Sequence, residues 1–325
     1  MFFRHRFGVA MSLTVGSLFS GIGGIDIGFQ QAGFDIAWAV EKDVPACRTY
    51  RYNFSGATLI EADIRDIDTA SLDHVDVLAA GFPCQSFSVA GKQHGFQDTR
   101  GNLFYEVIRF ANNLKPRVIF LENVPNLTDH NGGHTFNAIY NALAGEGYFV
   151  HYKVMRASEY GGVPQIRDRV YIVAFKDIEL SEQFHFPEKL ELATTAIPLL
   201  RQSEKKHPIY YIDESDSYYA KISRIVRMRN CIYRVYHESI KPTQNMMCPT
   251  LTASMGTQRN QTPLVRDDYG IRKLTIHECL AFQGFPDSFK FPNTITLEDA
   301  YKQIGNSVCV PVVRRITTNI LSVLS

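Results

Sequence analysis

Short apolar runs alternate with helix-like stretches through roughly the first half of the chain. The runs LTVGSLF, DIAWAVE, ATLIEAD, VDVLAAG, RVIFLEN and RVYIVAF resemble buried strands, and helix-like segments such as IDIGFQQAG and VPACRTYRYNF separate the first of them. This alternation predicts an α/β fold with a doubly wound, mostly parallel sheet and helices on both faces. Ligands of such sheets bind at the carboxyl ends of the strands.

The pattern changes after Phe175, where the sequence becomes polar, tyrosine-rich and basic without a clear period. We interpret this part as a smaller, loop-rich second domain. Regular character returns with RKLTIHECLAFQGFPDSF, which predicts a helix and a turn, and with YKQIGNSVCVPVVRRITTNILSVL, whose last part predicts an amphipathic helix.

Composition places the chain among folded soluble proteins, with 45% hydrophobic and 21% charged residues. The net charge of +1 conceals an uneven distribution, because the segment from Lys221 to Lys273 contains ten basic and three acidic residues. A basic segment favours a polyanionic partner such as nucleic acid. A solvated, salt-bridged surface is an equally good explanation of charge alone.

The six cysteines form no CxxC pair and have no accompanying histidine cluster, so they predict neither a zinc site nor a disulfide framework. We therefore expect a reducing cytoplasm. The first 21 residues resemble a signal peptide loosely, but we reject this interpretation because cleavage would remove the first strand. We also find no apolar stretch that approaches the roughly 18 residues needed to span a bilayer. Met11 is an alternative start, which would make the residues before it dispensable.

A glycine-rich turn, SLFSGIGGIDIGF, follows the first predicted strand and contains Phe19, Gly21 and Gly23. Glycine allows a ligand to approach the backbone at a helix amino terminus. Glu41 ends the next strand about 20 residues further on, where nucleotide-binding folds bind a ribose, and Asp63 ends a third strand where it can meet an adenine edge. The pattern leaves NAD, S-adenosylmethionine and a ligand-free tight turn open.

Two chemically active side chains end neighbouring predicted strands. VDVLAAGFPCQSFS runs into Cys84, and RVIFLENVPNL ends at Glu122. Most lone cysteines are inert core residues, but a nucleophile beside an acid in one cleft is a catalytic pattern. In GGVPQIRDRVYIVAF, Arg167 and Arg169 alternate and so share a face, where they either bind an anion or a base oxygen or lie on the surface.

With these residues assembled, the chain resembles the DNA (cytosine-5) methyltransferases of bacterial restriction-modification systems, most closely the HhaI-type enzymes. The blocks FSGIGG, EADI, GFPCQSFS, ENV, QIRDR, RKLTIHECLAFQGFP and QIGNSV occur in family order, and the similarity is weakest between residues 177 and 249. The resemblance implies a Rossmann-like methyltransferase sheet. It also implies a discontinuous catalytic domain, residues 1–192 and 300–325, and a target recognition domain with its hinge, residues 193–299.

The resemblance assigns a catalytic role to four residues. Cys84 would attack carbon 6 of a flipped-out cytosine, and Glu122 would hydrogen-bond ring nitrogen N3 and the exocyclic amine. Arg169 would contact oxygen O2, and Arg167 would support the cleft and the thiolate. Residues 86–97 would form a lid over the base.

The resemblance also implies S-adenosylmethionine as cofactor and double-stranded DNA as partner, for a monomer that acts in the bacterial cytoplasm without a metal or a membrane. The implied cofactor-binding residues are Phe19, Gly21, Gly23, Glu41, Asp63, Ile64, Pro83, Leu103, Asn306 and Ser307. The predicted DNA-binding residues are Ser88, Lys92, Arg229, Thr250, Leu251, Gln258 and Arg259. Lys42 departs from the family, since the HhaI-type enzymes have an aromatic residue against adenine there.

Three alternatives remain. An RNA cytosine-5 methyltransferase uses the same pocket, but its sequence around the catalytic block and its small domain differ. An inactive DNA-binding relative would be expected to lack Cys84, Glu122 or the glycine turn, all of which are present. An NAD oxidoreductase would explain the turn but not the set of Cys84, Glu122 and Arg169.

Overall fold

The computed structural model describes residues 12–83, 103–191, 196–200, 202–237, 239–243, 246–256 and 261–325, without the side chains of residues 197 and 198. The alternative start at Met11, the residue Cys84 and the predicted lid lie outside the described residues. Two sheets organise the described part of the chain, one of seven strands and one of four.

The seven-stranded sheet is mostly parallel, as predicted. Its strands are Thr14–Leu18 (β1), Asp35–Glu41 (β2), Thr58–Glu61 (β3), Val77–Ala80 (β4), Val118–Asn123 (β5), Phe149–Arg156 (β6) and Asp168–Phe175 (β7). Their order is β3-β2-β1-β4-β5-β7-β6, and β7 pairs antiparallel with both β5 and β6. The sequence pattern did not reveal β6. Because β7 is reversed, its amino end lies at the same edge as the carboxyl ends of the parallel strands.

Helices cover both faces of this sheet, and further helices lie in the second part of the chain. They are Gly24–Ala32 (α1), Val44–Asn53 (α2), Leu103–Leu114 (α3), His134–Gly145 (α4), Ala157–Tyr160 (α5), Ile178–Gln183 (α6), Ile197–Leu200 (α7), Ser217–Ile222 (α8), Ile276–Phe282 (α9), Leu297–Asn306 (α10) and Val310–Leu324 (α11). The α9, α10 and α11 helices agree with the regular pattern predicted for the end of the chain.

Each face of the large sheet has its own apolar core. On one face, α1 and α11 pack Phe29 and Ile316 against Val77 of β4. On the other face, α3 and α4 pack Phe110 and Ile139 against the strand side chains that point to that face, such as Leu78 of β4. Burial on both faces explains the near-continuous apolar runs of the parallel strands and confirms the doubly wound α/β class.

The second part of the chain contains a four-stranded sheet that the sequence pattern did not predict. Its antiparallel strands are Ile232–Tyr236 (β8), Ser239–Pro242 (β9), Leu264–Arg266 (β10) and Ile271–Lys273 (β11), in the order β11-β10-β8-β9. We call it the small sheet. Strands of three to five residues are too short to show a period of two, so the sequence pattern did not predict them. The small sheet packs on α8 through a separate core.

The expectation that no apolar stretch is long enough to span a membrane was wrong on length. The segment Leu297–Leu324 passes that test by length and composition, with half of its most apolar window buried. In the structure the segment is two helices, α10 and α11, which are separated at residues 307–309. Val313, Ile316 and Ile320 of α11 belong to the core beneath the large sheet, so the segment is explained by the packing of core helices.

Candidate active site

A cavity of about 720 Å³ opens at the carboxyl edge of the large sheet, a volume typical of sites for small ligands. Twelve residues that the sequence predicted for cofactor binding or catalysis line it: Phe19, Gly21, Glu41, Asp63, Ile64, Pro83, Leu103, Glu122, Arg167, Arg169, Asn306 and Ser307. The cavity therefore joins the glycine turn after β1 to the carboxylate at the end of β5.

The glycine turn shapes one wall of the cavity. Gly21 has a φ of 55°, and a Cβ atom on it would meet no atom within 4 Å, so the backbone is open to the cavity. Gly23, the residue before α1, has a φ of 82°, and a Cβ atom there would lie 2.2 Å from the Phe54 ring. Gly23 does not line the cavity. Its small size instead lets α1 begin against α2, which fixes the turn.

Glu41 is locked in place at the end of β2. Its Oε2 accepts a hydrogen bond from the Gly21 backbone N–H at 2.8 Å, and its Oε1 accepts from the N–H groups of Lys42 and Asp43, each at 2.8 Å. Three backbone donors thus orient the carboxylate beside the glycine turn. Oε1 already accepts two of these bonds, whereas Oε2 accepts one and keeps a lone pair for a ligand hydroxyl.

Asp63 lies at the end of the cavity away from Glu122 and has two cationic partners. Arg65 donates to it from Nε at 2.9 Å and from Nη2 at 2.7 Å, and Lys42 Nζ lies 3.2 Å from Oδ2. These hydrogen bonds, first of all those from Arg65, hold the pKa of Asp63 well below its usual range. Asp63 is therefore an ionised acceptor, and Lys42 is paired with it.

Glu122 is a buried carboxylate with an incomplete set of partners. The Arg169 Nε lies 3.0 Å from Glu122 Oε1, yet this oxygen accepts no well-aligned hydrogen bond from the described residues. Burial raises the pKa of Glu122, although the positive charges of Arg169 and Arg167 act in the opposite direction. A carboxyl group in this state is able to hold a proton and to share it with a ligand.

Arg167 is directed mainly at backbone carbonyls. Its guanidinium donates to the carbonyl oxygens of Leu251 at 2.6 Å, Gly305 at 3.2 Å and Ser307. Burial, followed by the charge of Arg169, lowers the pKa of Arg167 to about 9. Arg167 thus borders the cavity, while most of its donors bind distant parts of the chain.

The chain enters the undescribed segment beside Glu122. The β4 and β5 strands are parallel neighbours, and a Cβ atom on Gly81 would lie 3.7 Å from Glu122 Oε2. Asn123 Nδ2 donates to the Phe82 carbonyl at 2.9 Å, which holds the residues after β4 against the end of β5. Pro83 lines the cavity, and the next residue is Cys84.

Comparison with known proteins decides the family. A model of the C-5 cytosine-specific DNA methylase family matches residues 13–322. The chain belongs to this family. It is therefore a DNA (cytosine-5) methyltransferase, which confirms the resemblance drawn from its sequence blocks and excludes the NAD oxidoreductase.

Relatives match the methyltransferase over nearly its whole length. M.Bsp6I of Bacillus sp. (strain RFL6), a Type II methyltransferase, is 44% identical over 311 residues, covering 95% of this chain and 98% of that protein. M.HhaI of Haemophilus parahaemolyticus, another Type II methyltransferase, is 35% identical, covering 95% and 94%. The S. pombe Dnmt2 methyltransferase structure has a TM-score of 0.74 over 96% of this chain and 99% of that chain, at 19% identity, which is a likeness of fold alone.

The predicted DNA-binding residues of the methyltransferase do not form one described surface. Arg229 is exposed and forms an ion pair with Asp268. Thr250 donates to the Ile166 carbonyl at 2.5 Å, and Leu251 is fully buried. Ser88, Lys92, Gln258 and Arg259 lie outside the described residues.

Sequence reasoning missed several residues that line the cavity, among them Ser20, Lys302 and Gln303. Ser20 Oγ and Gln303 Nε2 are buried polar atoms with no hydrogen-bond partner among the described residues. A signal for two of them was present, because Lys302 and Gln303 precede Asn306 by one helical turn on α10 and so share its face.

Proposed function

We propose that this methyltransferase transfers a methyl group from S-adenosylmethionine to carbon 5 of cytosine within a short specific sequence of double-stranded DNA. The reaction proceeds through a covalent bond between Cys84 and carbon 6 of a flipped-out base. The observation that carries this proposal is Glu122, a buried carboxyl with a raised pKa beside the strand that leads to Cys84. One of its oxygens accepts no well-aligned hydrogen bond from the described residues.

The cavity fits S-adenosylmethionine in three respects. Gly21 leaves the backbone open to a ligand, and Glu41 presents a fixed carboxylate where a ribose binds. Ser20 Oγ and Gln303 Nε2 are buried polar atoms that find no hydrogen-bond partner in the described part of the chain. Bound there, the cofactor supplies an electrophilic methyl group on its sulfonium. We assign cofactor contacts to Phe19, Gly21, Glu41, Asp63, Ile64, Pro83, Leu103, Asn306 and Ser307, which line the cavity, while Gly23 shapes the turn.

The residues of the cleft divide the chemistry between them. The Cys84 thiolate adds to carbon 6 of the base, which makes carbon 5 nucleophilic toward the methyl group. Glu122 holds a proton at N3 and accepts from the exocyclic amine, so it stabilises the charge that develops during addition. Arg169 donates to O2, and Arg167 maintains the cleft. Solvent water then accepts the carbon 5 proton, the double bond between carbon 5 and carbon 6 re-forms, and the bond from carbon 6 to sulfur breaks to release the Cys84 thiolate.

We further propose that residues 193–299 form the target recognition domain with its hinge, and that residues 1–192 and 300–325 form the catalytic domain. The recognition domain contacts DNA through Arg229, Thr250, Gln258 and Arg259, and Ser88 and Lys92 contribute from the predicted lid. The buried Leu251 positions this segment instead of contacting DNA. Since M.Bsp6I and M.HhaI are named Type II methyltransferases, the protein acts as the modification enzyme of a restriction-modification system. It works as a monomer in the bacterial cytoplasm.

Bisulfite sequencing of plasmid DNA from cells that express the wild type or Cys84→Ser tests this function. We expect protected cytosines within one short motif in the wild type and none in Cys84→Ser. Calorimetry with S-adenosylhomocysteine provides the control for a folded cofactor site. A soluble wild type that binds this ligand but protects no cytosine would contradict the proposal and favour an RNA substrate or an inactive DNA-binding protein.

A further inference from the structure

Two segments from distant parts of the sequence lie side by side behind the cavity. The Ile166 N–H donates to the Cys248 carbonyl at 2.8 Å, and the Cys248 N–H donates to the Pro164 carbonyl at 2.8 Å. We call residues 164–167 and 248–251 the junction. One of its segments runs directly into β7 and Arg169, while the other belongs to the proposed recognition domain.

Gln165 is the central side chain of the junction and is fully buried. Its Nε2 donates to the Phe282 carbonyl at 2.8 Å and lies 3.4 Å from Gln283 Oε1. Its Oε1 accepts from the Leu251 N–H at 3.3 Å. A single amide therefore binds the end of α9 and the 248–251 segment at the same time.

The junction continues to the cofactor end of the cavity. Gln283 Nε2 donates to the Ile304 carbonyl at 3.1 Å, and Arg167 bonds the carbonyl oxygens of both Leu251 and Ser307. Consequently, a movement of the 248–251 segment displaces a hydrogen-bond partner of Arg167, which lines the cavity and also bonds Ser307 at the cofactor end.

An apolar side chain would fill the position of Gln165 without needing any partner. A buried amide costs free energy unless its groups are bonded, so it specifies one arrangement of its neighbours rather than merely filling volume. Gln165 also lies four residues before Arg169, with the intervening backbone held by Arg167 and by the bond from Thr250 to Ile166.

We propose that Gln165 is a positioning residue that couples the docking of the recognition domain on DNA to the placement of Arg169 at the target base. This inference rests on the proposed function, since it assumes that Arg169 contacts the base. With the correct sequence bound, the 248–251 segment holds Gln165 and thereby Arg169 in the reactive position. With an incorrect sequence, part of this alignment is lost, and discrimination between sequences appears in the methylation step.

Single-turnover methylation of Gln165→Met tests the proposal. The substrates are a duplex with the sequence found by bisulfite sequencing and duplexes that differ from it by one base pair. We expect the rate constant on the correct duplex to fall about ten- to a hundredfold, because small displacements of catalytic groups have effects of this size. The rate on altered duplexes falls less, so the ratio of the two rates narrows. The dissociation constant for S-adenosylhomocysteine stays within about twofold of the wild type.

Thr317→Val is the matched control, because it also removes a buried side-chain hydrogen bond, to the Gly28 carbonyl at 3.2 Å, but lies between α11 and α1. It leaves the rate ratio unchanged. If Gln165→Met fails to fold, Gln165→Glu replaces it, since a carboxylate still accepts from Leu251. If the rate constant of Gln165→Met falls by the same factor on correct and altered duplexes, or does not fall, the inference about Gln165 is overturned while the proposed function stands. A wild type that methylates no duplex overturns the proposed function together with it.

Discussion

Two arginine–carboxylate groups in the described part of the methyltransferase differ in how completely their atoms are paired. In the small sheet, the fully buried Arg272 donates to Asp267 Oδ2 at 2.7 Å, to both oxygens of Glu278 at 2.8 Å, and to two backbone carbonyls. In the cleft, Arg169 Nε lies 3.0 Å from Glu122 Oε1, and this oxygen accepts no well-aligned hydrogen bond from the described residues.

The difference separates a structural group from a reactive one. Glu278 also completes a capping box with Thr275 at the start of α9, so every oxygen of that carboxylate has a donor. A buried polar group that is fully bonded fixes its surroundings, whereas one that is partly bonded is available to a ligand and has a shifted pKa. The Glu122 carboxyl in the cleft can therefore hydrogen-bond a substrate, whereas the oxygens of Glu278 beside the small sheet are already bonded within the protein.

Removal of Arg272 should have the largest effect on folding. Arg272→Met leaves Asp267 and Glu278 buried without a cation, and we expect a loss of about 3–5 kcal/mol in the free energy of unfolding. Urea unfolding followed by circular dichroism measures it. A loss below about 1 kcal/mol would show that this group does not hold the small sheet against α9.

Removal of the Glu122 charge should instead affect catalysis. Glu122→Gln keeps the shape but cannot share a proton with the base, so we expect a fall in the single-turnover rate of about 10²–10³-fold, with unchanged affinity for S-adenosylhomocysteine. A rate within about threefold of the wild type would contradict the role of Glu122.

The same variant gives a sign test on stability. The pKa of Glu122 is higher in the folded than in the unfolded protein, so above a pH of about 4.5 the folded protein binds more protons than the unfolded protein does. The free energy of unfolding of the wild type therefore falls as the pH rises through this range. Glu122→Gln lacks this loss, so at pH 8 it should be at least as stable as the wild type. If Glu122→Gln is clearly less stable than the wild type at pH 8, Glu122 has a structural role like that of the carboxylates around Arg272.

Asp26 provides a third buried carboxyl, paired with hydroxyl groups rather than with a cation. It accepts from Ser17 Oγ and Tyr50 OH, each at 2.6 Å, and burial raises its pKa to about 6. The wild type should therefore lose about 2–3 kcal/mol of unfolding free energy relative to Asp26→Asn as the pH rises from about 4 to 6, and remain lower above it. Parallel pH profiles of the two proteins would exclude the raised pKa.

The exposed pair of Arg229 and Asp268 should have the smallest effect. Arg229→Ala should change the free energy of unfolding by less than about 1 kcal/mol, since exposed ion pairs contribute little. If Arg229 contacts a phosphate, the variant binds all DNA sequences more weakly, and the slope of log affinity against log salt falls by about one. Fluorescence anisotropy at several salt concentrations measures this slope, and an unchanged slope removes Arg229 from the DNA contacts.

The large sheet was predictable from sequence because its central strands are buried on both faces and form apolar runs such as VDVLAAG and RVIFLEN. The small sheet was not, because its strands are short and antiparallel. The reversal of β7 was equally invisible, although it explains why arginines that precede a strand reach the same edge as Glu122.

The junction shows a further limit of sequence patterns. Gln165 and Leu251 are 86 residues apart, and nothing in the local periodicity relates them. Likewise, the sequence indicated Arg167 as a cleft residue through its spacing from Arg169, but only the tertiary contacts reveal that it bonds the carbonyl oxygens of Leu251 and Ser307.

Covalent trapping tests the central claim most directly. A duplex with 5-fluorocytosine at the target position, incubated with enzyme and S-adenosylmethionine, blocks the final elimination because fluorine does not leave carbon 5 as the proton does. We predict a denaturation-resistant complex for the wild type, slower formation for Glu122→Gln and none for Cys84→Ser, with the DNA attached to the peptide that contains Cys84. Attachment at another residue, or no complex from an enzyme that protects cytosines in bisulfite sequencing, would contradict the proposed mechanism.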